Sequence, residues 1–301
     1  MRRVEQAAQR LGYVPNVLAR GLRTSRSYVA ALVIPDITNP LFPPIIRGAE
    51  QVLSQAGFTL VLTDTNNDAT LERTQVASMR AHGVDGFIIA TARWQDAMLD
   101  ELAESGLPAV QVNRRCSQPQ LPYVGGDDRH GIELCVSHLV ELGHRDIVHL
   151  AGPPDTSTGR ERSNAFRQAT RGSGLRSARV IECESFTEEA GAKATRKLLK
   201  SGRAFTAVVA ATDLLALGAM DALAEVGRSC PSDVSITGYN DVSFMDRLSP
   251  PMTTVHIPLT DMGAHAARTL LDWIREPDKP NQTQTLLPVE LVIRGTTTAP
   301  P

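Results

Sequence analysis

The stretch "YVAALVIPDITNPLFPPIIRGAEQVLSQAGFTLVLTDT" (28–65) decides the fold. It opens and closes on apolar, β-branched runs, 28–36 and 58–65, of the kind that a strand buried on both faces requires. Between them, "PPIIRGAEQVLSQAG" (43–57) has helix length and ends at Gly57, a residue that can take the left-handed conformation closing a helix. Strand, helix and strand in that order mean parallel pairing through a right-handed crossover.

The same unit recurs along the chain. Strand candidates follow at "VDGFIIATA" (84–92) and "PAVQVNR" (108–114), then at "DIVHLAGP" (146–153), "ARVIECESF" (178–186), "FTAVVAATD" (205–213) and "DVSITGYND" (233–241). The series breaks at "RRCSQPQLPYVGGDDRHG" (114–131), rich in Pro, Gly and Gln. It changes course again near "SPPMTTVHIP" (249–258), ahead of a helix at about 260–275 and a last strand in "TLLPVELVIRG" (285–295). A chain of 301 residues exceeds what one hydrophobic core usually sustains. The expected fold is α/β in two lobes, each lobe a parallel sheet flanked by helices. Residues 27–125 plus 257–277 would form one lobe and 126–256 plus 284–301 the other, with 1–26 standing apart.

Composition narrows the function. With 42% hydrophobic and 21% charged residues, and no apolar run near the roughly 20 residues that span a bilayer, no membrane role is expected. "MRRVEQAAQRL" lacks the apolar segment of a secretory signal, which favours the cytoplasm. Cys116, Cys135, Cys183 and Cys230 form no C-x-x-C pair, so neither a disulfide framework nor a zinc site is expected, and no other metal or cofactor is implied. The net charge of -2 conceals an uneven distribution: residues 1–26 hold six arginines against Glu5 alone. A basic head on an acidic body suits a polyanionic partner.

In open α/β sheets, ligands bind beyond the carboxyl ends of the strands. Those positions hold Asp36, Asn39, Phe42, Asp64, Thr91 and Asn113 in the first series, and Asp155, Thr156, Thr158, Arg162, Phe186, Thr212, Asp213, Asn240 and Asp241 in the second. Rings for a ligand's faces and amides, hydroxyls and one arginine for its edge suit a small polyhydroxylated or planar polar molecule. Each position also has an ordinary structural reading. Asp64, Asp127 and Asp213 could cap helices, Phe42 and Phe186 could be core, and Arg162 could be solvated, although Phe166 one turn later favours an inward course. No phosphate-binding loop, zinc-protease motif or nucleophile elbow is present, and His144 reads as a helix-end cap. No catalytic residue is assigned, and a binder rather than an enzyme is expected.

"NVLARGL" (16–22) has Asn16 as a competent N-cap and Val17, Leu18, Ala19 and Leu22 at near-helical spacing. Seven residues fall well short of the ~12–15 at which an isolated helix becomes marginally stable, so this one should fold only against a partner. A paired helix of this kind can wedge an apolar side chain into a minor-groove base step while its arginines meet phosphates.

The motifs "GYVPNVLARGLRTSRSYVAALVIPDITNPLFPPIIRGAE", "GGDDRHG", "HLVELGHRDIVHLAGP", "STGRERSNAFRQA", "ATDLLALGAMDAL", "SITGYNDVSF", "LSPPMTTVHIP" and "LPVELVIRGTTTAPP" together resemble the ordered motif series of the LacI/GalR family of transcriptional regulators. The resemblance runs over essentially the whole chain. It implies a helix-turn-helix headpiece, a hinge helix, a two-lobed effector-binding core resembling periplasmic sugar-binding proteins, palindromic operators bound as homodimers, and small effectors that are commonly sugars. By matching positions, Phe42 and Phe186 would supply ring faces, Arg162 would bond polar groups of the effector, and Thr156 and Thr158 would line the same loop. Asn240 stands where the family usually has Asp, Thr212 replaces a frequent Asn, and Leu41 an aromatic. In the hinge, Leu22 would be the wedge, with Ala19 beside it and Arg20 and Arg23 near the backbone. The family's base-reading helix has no counterpart in "MRRVEQAAQRLGYVPN", so specific operator binding is expected only if that helix lies upstream of Met1. A free-standing sugar-binding protein of the periplasmic type is the alternative. The resemblance also leads to the expectation that Arg162→Ala abolishes the effector response and leaves the fold intact.

Overall fold

The structure, a computed structural model, describes residues 26–117, 120–277 and 283–301. The hinge residues Asn16, Ala19, Arg20, Leu22 and Arg23 lie outside the described residues.

The opening stretch forms β1 (Val29–Ile34), α1 (Phe42–Gln55) and β2 (Thr59–Asp64), with β1 and β2 parallel. The first lobe continues with α2 (Ala69–Ala81), β3 (Gly86–Ile89), α3 (Ala97–Glu104), β4 (Ala109–Val112) and β5 (Tyr123–Gly126). The second contains α4 (Asp128–Glu141), β6 (Asp146–Ala151), α5 (Ser157–Ala169), β7 (Ser177–Glu182), α6 (Glu188–Lys200), β8 (Ala207–Ala210), α7 (Asp213–Ala224), β9 (Ser235–Asn240) and β10 (Thr253–His256). Then come α8 (Leu259–Arg275), β11 (Gln284–Leu287) and β12 (Glu290–Val292).

The strands make two six-stranded sheets, ordered β11-β5-β4-β3-β1-β2 and β12-β10-β9-β8-β6-β7. All pairings are parallel except β10 with β12. Burial on both faces explains the unbroken apolar runs. On β1, Ala30, Leu32 and Ile34 join the core beneath α1 and α8, whereas Ala31 and Val33 join the opposite core with Val76 of α2 and Leu99 and Leu102 of α3. Alternation of side chains across a strand divides one run between two cores.

The tail of the chain differs from the sequence expectation. The stretch 285–295 is two strands rather than one, separated by Pro288, which cannot donate to a ladder. Gln284–Leu287 pairs with Tyr123–Gly126 in the first sheet, so residues 284–287 belong to the first lobe and not to the second as expected. The chain thus passes between lobes after β5, after β10 and after β11. The Pro/Gly-rich stretch 114–131 contains β5, which the sequence reading leaves as a connection.

Candidate functional site

The two sheets present their carboxyl ends to one another, and the residues between them enclose a narrow cavity of about 20 Å³, room for roughly one water molecule in this closed arrangement. Asn39, Phe42, Asn113 and Arg114 line it from the first lobe, and Thr158, Arg162, Phe186, Thr212 and Asn240 from the second. Equivalent positions in the two sheets supply equivalent residues. Strand β4 lies third in its sheet and is followed by Asn113; strand β9 lies third in the other and ends in Asn240. Both asparagines have left-handed backbones, φ 62° and φ 107°, a conformation that Asn tolerates better than most residues and that is concentrated at functional sites.

Each wall residue is placed by local chemistry. Phe42 is the first residue of α1, a helix with no side-chain cap, in which Pro43 and Pro44 carry no N–H to satisfy. Asn39 accepts a hydrogen bond from the Leu41 N–H at 3.0 Å and fixes the turn ahead of it. Thr156 caps α5, accepting from the Gly159 N–H at 3.1 Å, which sets Thr158 and Arg162 on the buried side of that helix. Thr212 caps α7 through the Leu215 N–H at 3.3 Å.

Arg162 is almost fully buried and largely engaged. Its Nε donates to Asp128 Oδ1 at 2.8 Å, its Nη1 donates to the Ala211 carbonyl at 2.5 Å, and its guanidinium lies 3.8 Å from the centroid of the Tyr239 ring. The Asn240 side-chain oxygen is 3.5 Å from the same Nη1. Burial disfavours the charged guanidinium, but Asp128 and Tyr239 more than offset it and hold its pKa above the ordinary value.

Of the ten residues assigned to the effector from sequence, the cavity brings together Phe42, Asn113, Thr158, Arg162, Phe186, Thr212 and Asn240. The other three sit elsewhere. Asp64 accepts from the Ile37 and Asn66 N–H groups and ties the loops that follow β1 and β2. Thr91 is buried and donates to the Glu72 carboxylate inside the first lobe. Thr156 lines the outer mouth of the cleft, its hydroxyl donating to the Pro153 carbonyl. In each case a backbone or carboxylate partner within reach takes up the polar group. The sequence reading missed Arg114, since "NRRC" gives no sign of which arginine turns inward. His144 is likewise no helix-end cap: its ring contacts Thr206, Ser235 and the Thr298 carbonyl, fastening the C-terminal segment.

Asp127 does cap a helix, accepting from the His130 N–H, whereas Asp213 serves a different purpose. Its carboxylate, sealed from solvent, accepts from the Val242 N–H at 2.9 Å and the Thr254 hydroxyl at 2.5 Å, binding the loop after β9 and strand β10 to α7. Burial, only partly offset by those bonds, pushes its carboxyl up to about 7. Between 3.8 and about 7 the folded chain keeps a proton that the unfolded chain has released. The group's contribution to stability is therefore complete below that window and declines as pH rises through it. Asp213→Asn is expected to flatten the decline by up to about 1.4 kcal/mol per pH unit, read as urea unfolding free energies from pH 4 to 8. Identical slopes in the two proteins would contradict the assignment.

Two lobes closing on a polar, aromatic-walled cavity define a ligand-binding core of the periplasmic binding protein type, and a family model described as a periplasmic binding protein-like domain matches residues 136–297. The chain is 32% identical over 295 residues to the ribose operon repressor of Halalkalibacterium halodurans, covering 98% of this chain and 87% of that one. Among solved structures, the Lac repressor dimer bound to operator and an anti-inducer superposes with a TM-score of 0.87 at 28% identity, covering 99% of this chain and 90% of that one. A LacI family regulator from Enterococcus faecium with bound ribose superposes at 0.80 with 30% identity, covering 90% of this chain and 99% of that one. The chain belongs to the LacI family of transcriptional regulators. Its relatives are regulators, and among the described residues there is no cluster suited to a metal and no helix long and apolar enough to cross a membrane.

Proposed function

We propose that the inter-lobe cavity takes a small sugar as effector, and that its occupancy sets lobe closure and thereby operator binding through residues 16–22 of a cytoplasmic, homodimeric repressor. The reading rests on the convergence of Phe42, Phe186, Asn113, Asn240, Thr158 and Thr212 from both lobes on one small cavity. Aromatic faces meet the C–H faces of a pyranose or furanose, while amides and hydroxyls donate and accept around its edge. Ribose in the Enterococcus regulator and the name of the Halalkalibacterium repressor point the same way. The similar proteins named above are regulators, which supports reading the core as a binder rather than an enzyme.

Closure already has its contacts. The Trp94 N–H donates to the Asp155 carbonyl at 2.6 Å, and Arg115 reaches across to Glu161 at 2.5 Å. An effector bridging the lobes favours this closed arrangement in proportion to its extra affinity for it.

A pair of substitutions tests the site. A Cβ added to Gly152 would lie 2.1 Å from Phe186 Cε1, so Gly152→Ala should swing the ring out of the cavity while leaving it in the chain. Gly152→Ala and Phe186→Ala are each expected to weaken binding of a neutral sugar by roughly tenfold, and the double variant by little more than either alone. Calorimetry with neutral pentoses, hexoses and disaccharides reads this; unchanged affinity in both single variants would remove Phe186 from the site.

A further inference from the structure

The geometry points to an anionic effector: Arg114 holds a phosphate or carboxylate carried by the sugar. This rests on the sugar reading above and narrows its chemical class.

The arginines around the cleft are paired, with one exception. Arg162 has Asp128; Arg93 has Asp155 at 3.3 Å and the Asn67 carbonyl at 2.7 Å; Arg115 has Glu161. Arg114 is 9% exposed, and among the described residues its guanidinium has neither a carboxylate partner nor a hydrogen-bond acceptor. Its Nε is sealed from water and bare. It lies over the ring of Phe186, 5.4 Å away across the cleft, a face contact that leaves the N–H donors unused.

The surrounding charges sharpen the point. Among the described residues no carboxylate lines the inner cavity, where position 240 holds an amide. At the mouth, Asp36 accepts from Thr38, Asp155 is taken by Arg93, and Glu184 is taken by Lys193. Burial lowers the Arg114 pKa to about 10, with Asp155 acting in the opposite sense and Arg93 and Arg162 adding repulsion. The group still carries its charge at neutral pH.

A buried, unpaired cation is among the costlier arrangements in a protein, and the simplest compensation is a counter-charge that arrives with the ligand. A neutral hydroxyl could accept one of the N–H bonds but would leave the charge in place; a carboxylate or phosphate accepts two and neutralises it. The same counter-charge relieves the repulsion that Arg114 meets from Arg93 in its own lobe and from Arg162 across the cleft. The anion therefore favours the closed cleft more strongly than the open one, which is the requirement for an effector.

Calorimetry on the full chain with matched pairs tests the inference: ribose against ribose 5-phosphate, glucose against glucose 6-phosphate, and glucose against glucuronate. In at least one pair the anion is expected to bind roughly tenfold or more tightly, with the phosphate and acid pairs showing which group is preferred. Arg114→Met should abolish that preference, bringing each anion to the affinity of its neutral partner measured in the same variant. It should also raise the melting temperature of the ligand-free protein, because the unpaired charge is gone. Neutral members binding as tightly as the anions throughout, or a preference that survives Arg114→Met, would overturn the anionic reading while leaving the sugar reading intact. Failure of every compound to bind would overturn both.

Discussion

Replacing Arg162 with alanine is expected to destabilise the second lobe by about 3–5 kcal/mol, in addition to abolishing effector binding. The sequence alone suggests a loss of response in an intact fold, but the structure gives Arg162 two duties. It faces the cavity, and it neutralises Asp128, which is 5% exposed and whose carboxyl is pushed up by burial even with the arginine beside it. Removing the guanidinium leaves that carboxyl without its cation, the Ala211 carbonyl without a donor and the face of Tyr239 without its partner. Recognition and stability can be separated by removing both charges. Arg162→Met with Asp128→Asn should recover stability to within about 1 kcal/mol of the parent, since loss of a whole buried pair is often nearly neutral, yet effector binding should stay absent. Thermal unfolding and calorimetry on the two variants read the two effects. An Arg162→Ala protein that melts with the parent would show that Asp128 finds another partner.

Much of the fold was legible because strands buried on both faces announce themselves as continuous apolar runs. Among the described residues, eight of the twelve strands coincide with such runs, β1 to β4 and β6 to β9, and β11 and β12 share a stretch that the sequence presents as one strand. The rest were hidden for identifiable reasons. Strand β5, "YVGG", contains two glycines and is a strand only because β4 and β11 flank it. Strand β10, "TTVH", is polar in sequence, but Thr253 and Thr254 are buried and spend their hydroxyls on Thr297 and Asp213. Which sheet receives β11 and which receives β12 is a tertiary choice that Pro288 permits and does not dictate.

The site divided along similar lines. The rule that ligands sit at carboxyl ends of strands located Asn113, Thr212 and Asn240, because the chain ends each strand there on a polar residue facing the other lobe. The same rule also picked Asp64, which ties the loops after β1 and β2, and Thr91, which donates to Glu72 of α2; neither lines the cavity. Arg114 was invisible for a different reason. Its importance lies in having no partner, and that is a property of the folded surroundings rather than of the residue.

Gly48→Ala is expected to cost about 3 kcal/mol and to weaken effector binding, although position 48 does not line the cavity. Helices α1 and α8 meet backbone to backbone. A Cβ on Gly48 would lie 1.9 Å from the Thr260 carbonyl oxygen, and one on Gly263 would lie 1.9 Å from the Ile45 carbonyl oxygen. No rotamer change relieves a clash with backbone, so the helices must part. The second lobe uses the same device, with Gly191 against Leu215 O and Gly218 against Glu188 O at 2.4 and 1.9 Å. The consequence for the ligand follows from where α1 begins. Phe42 is its first residue, and with no side-chain cap at that end the helix is located by its packing on α8 and the sheet rather than by its own terminus. Displacing α1 therefore displaces the ring that forms one wall of the cavity. Gly83→Ala provides the contrast, because its φ of +74° penalises any side chain although nothing lies within 4 Å of the added atom. That variant should lose about 1 kcal/mol and bind effector as the parent does. If Gly48→Ala matched it, with a small loss of stability and full affinity, α1 and α8 would have room to separate and the position of Phe42 would depend on something other than their contact.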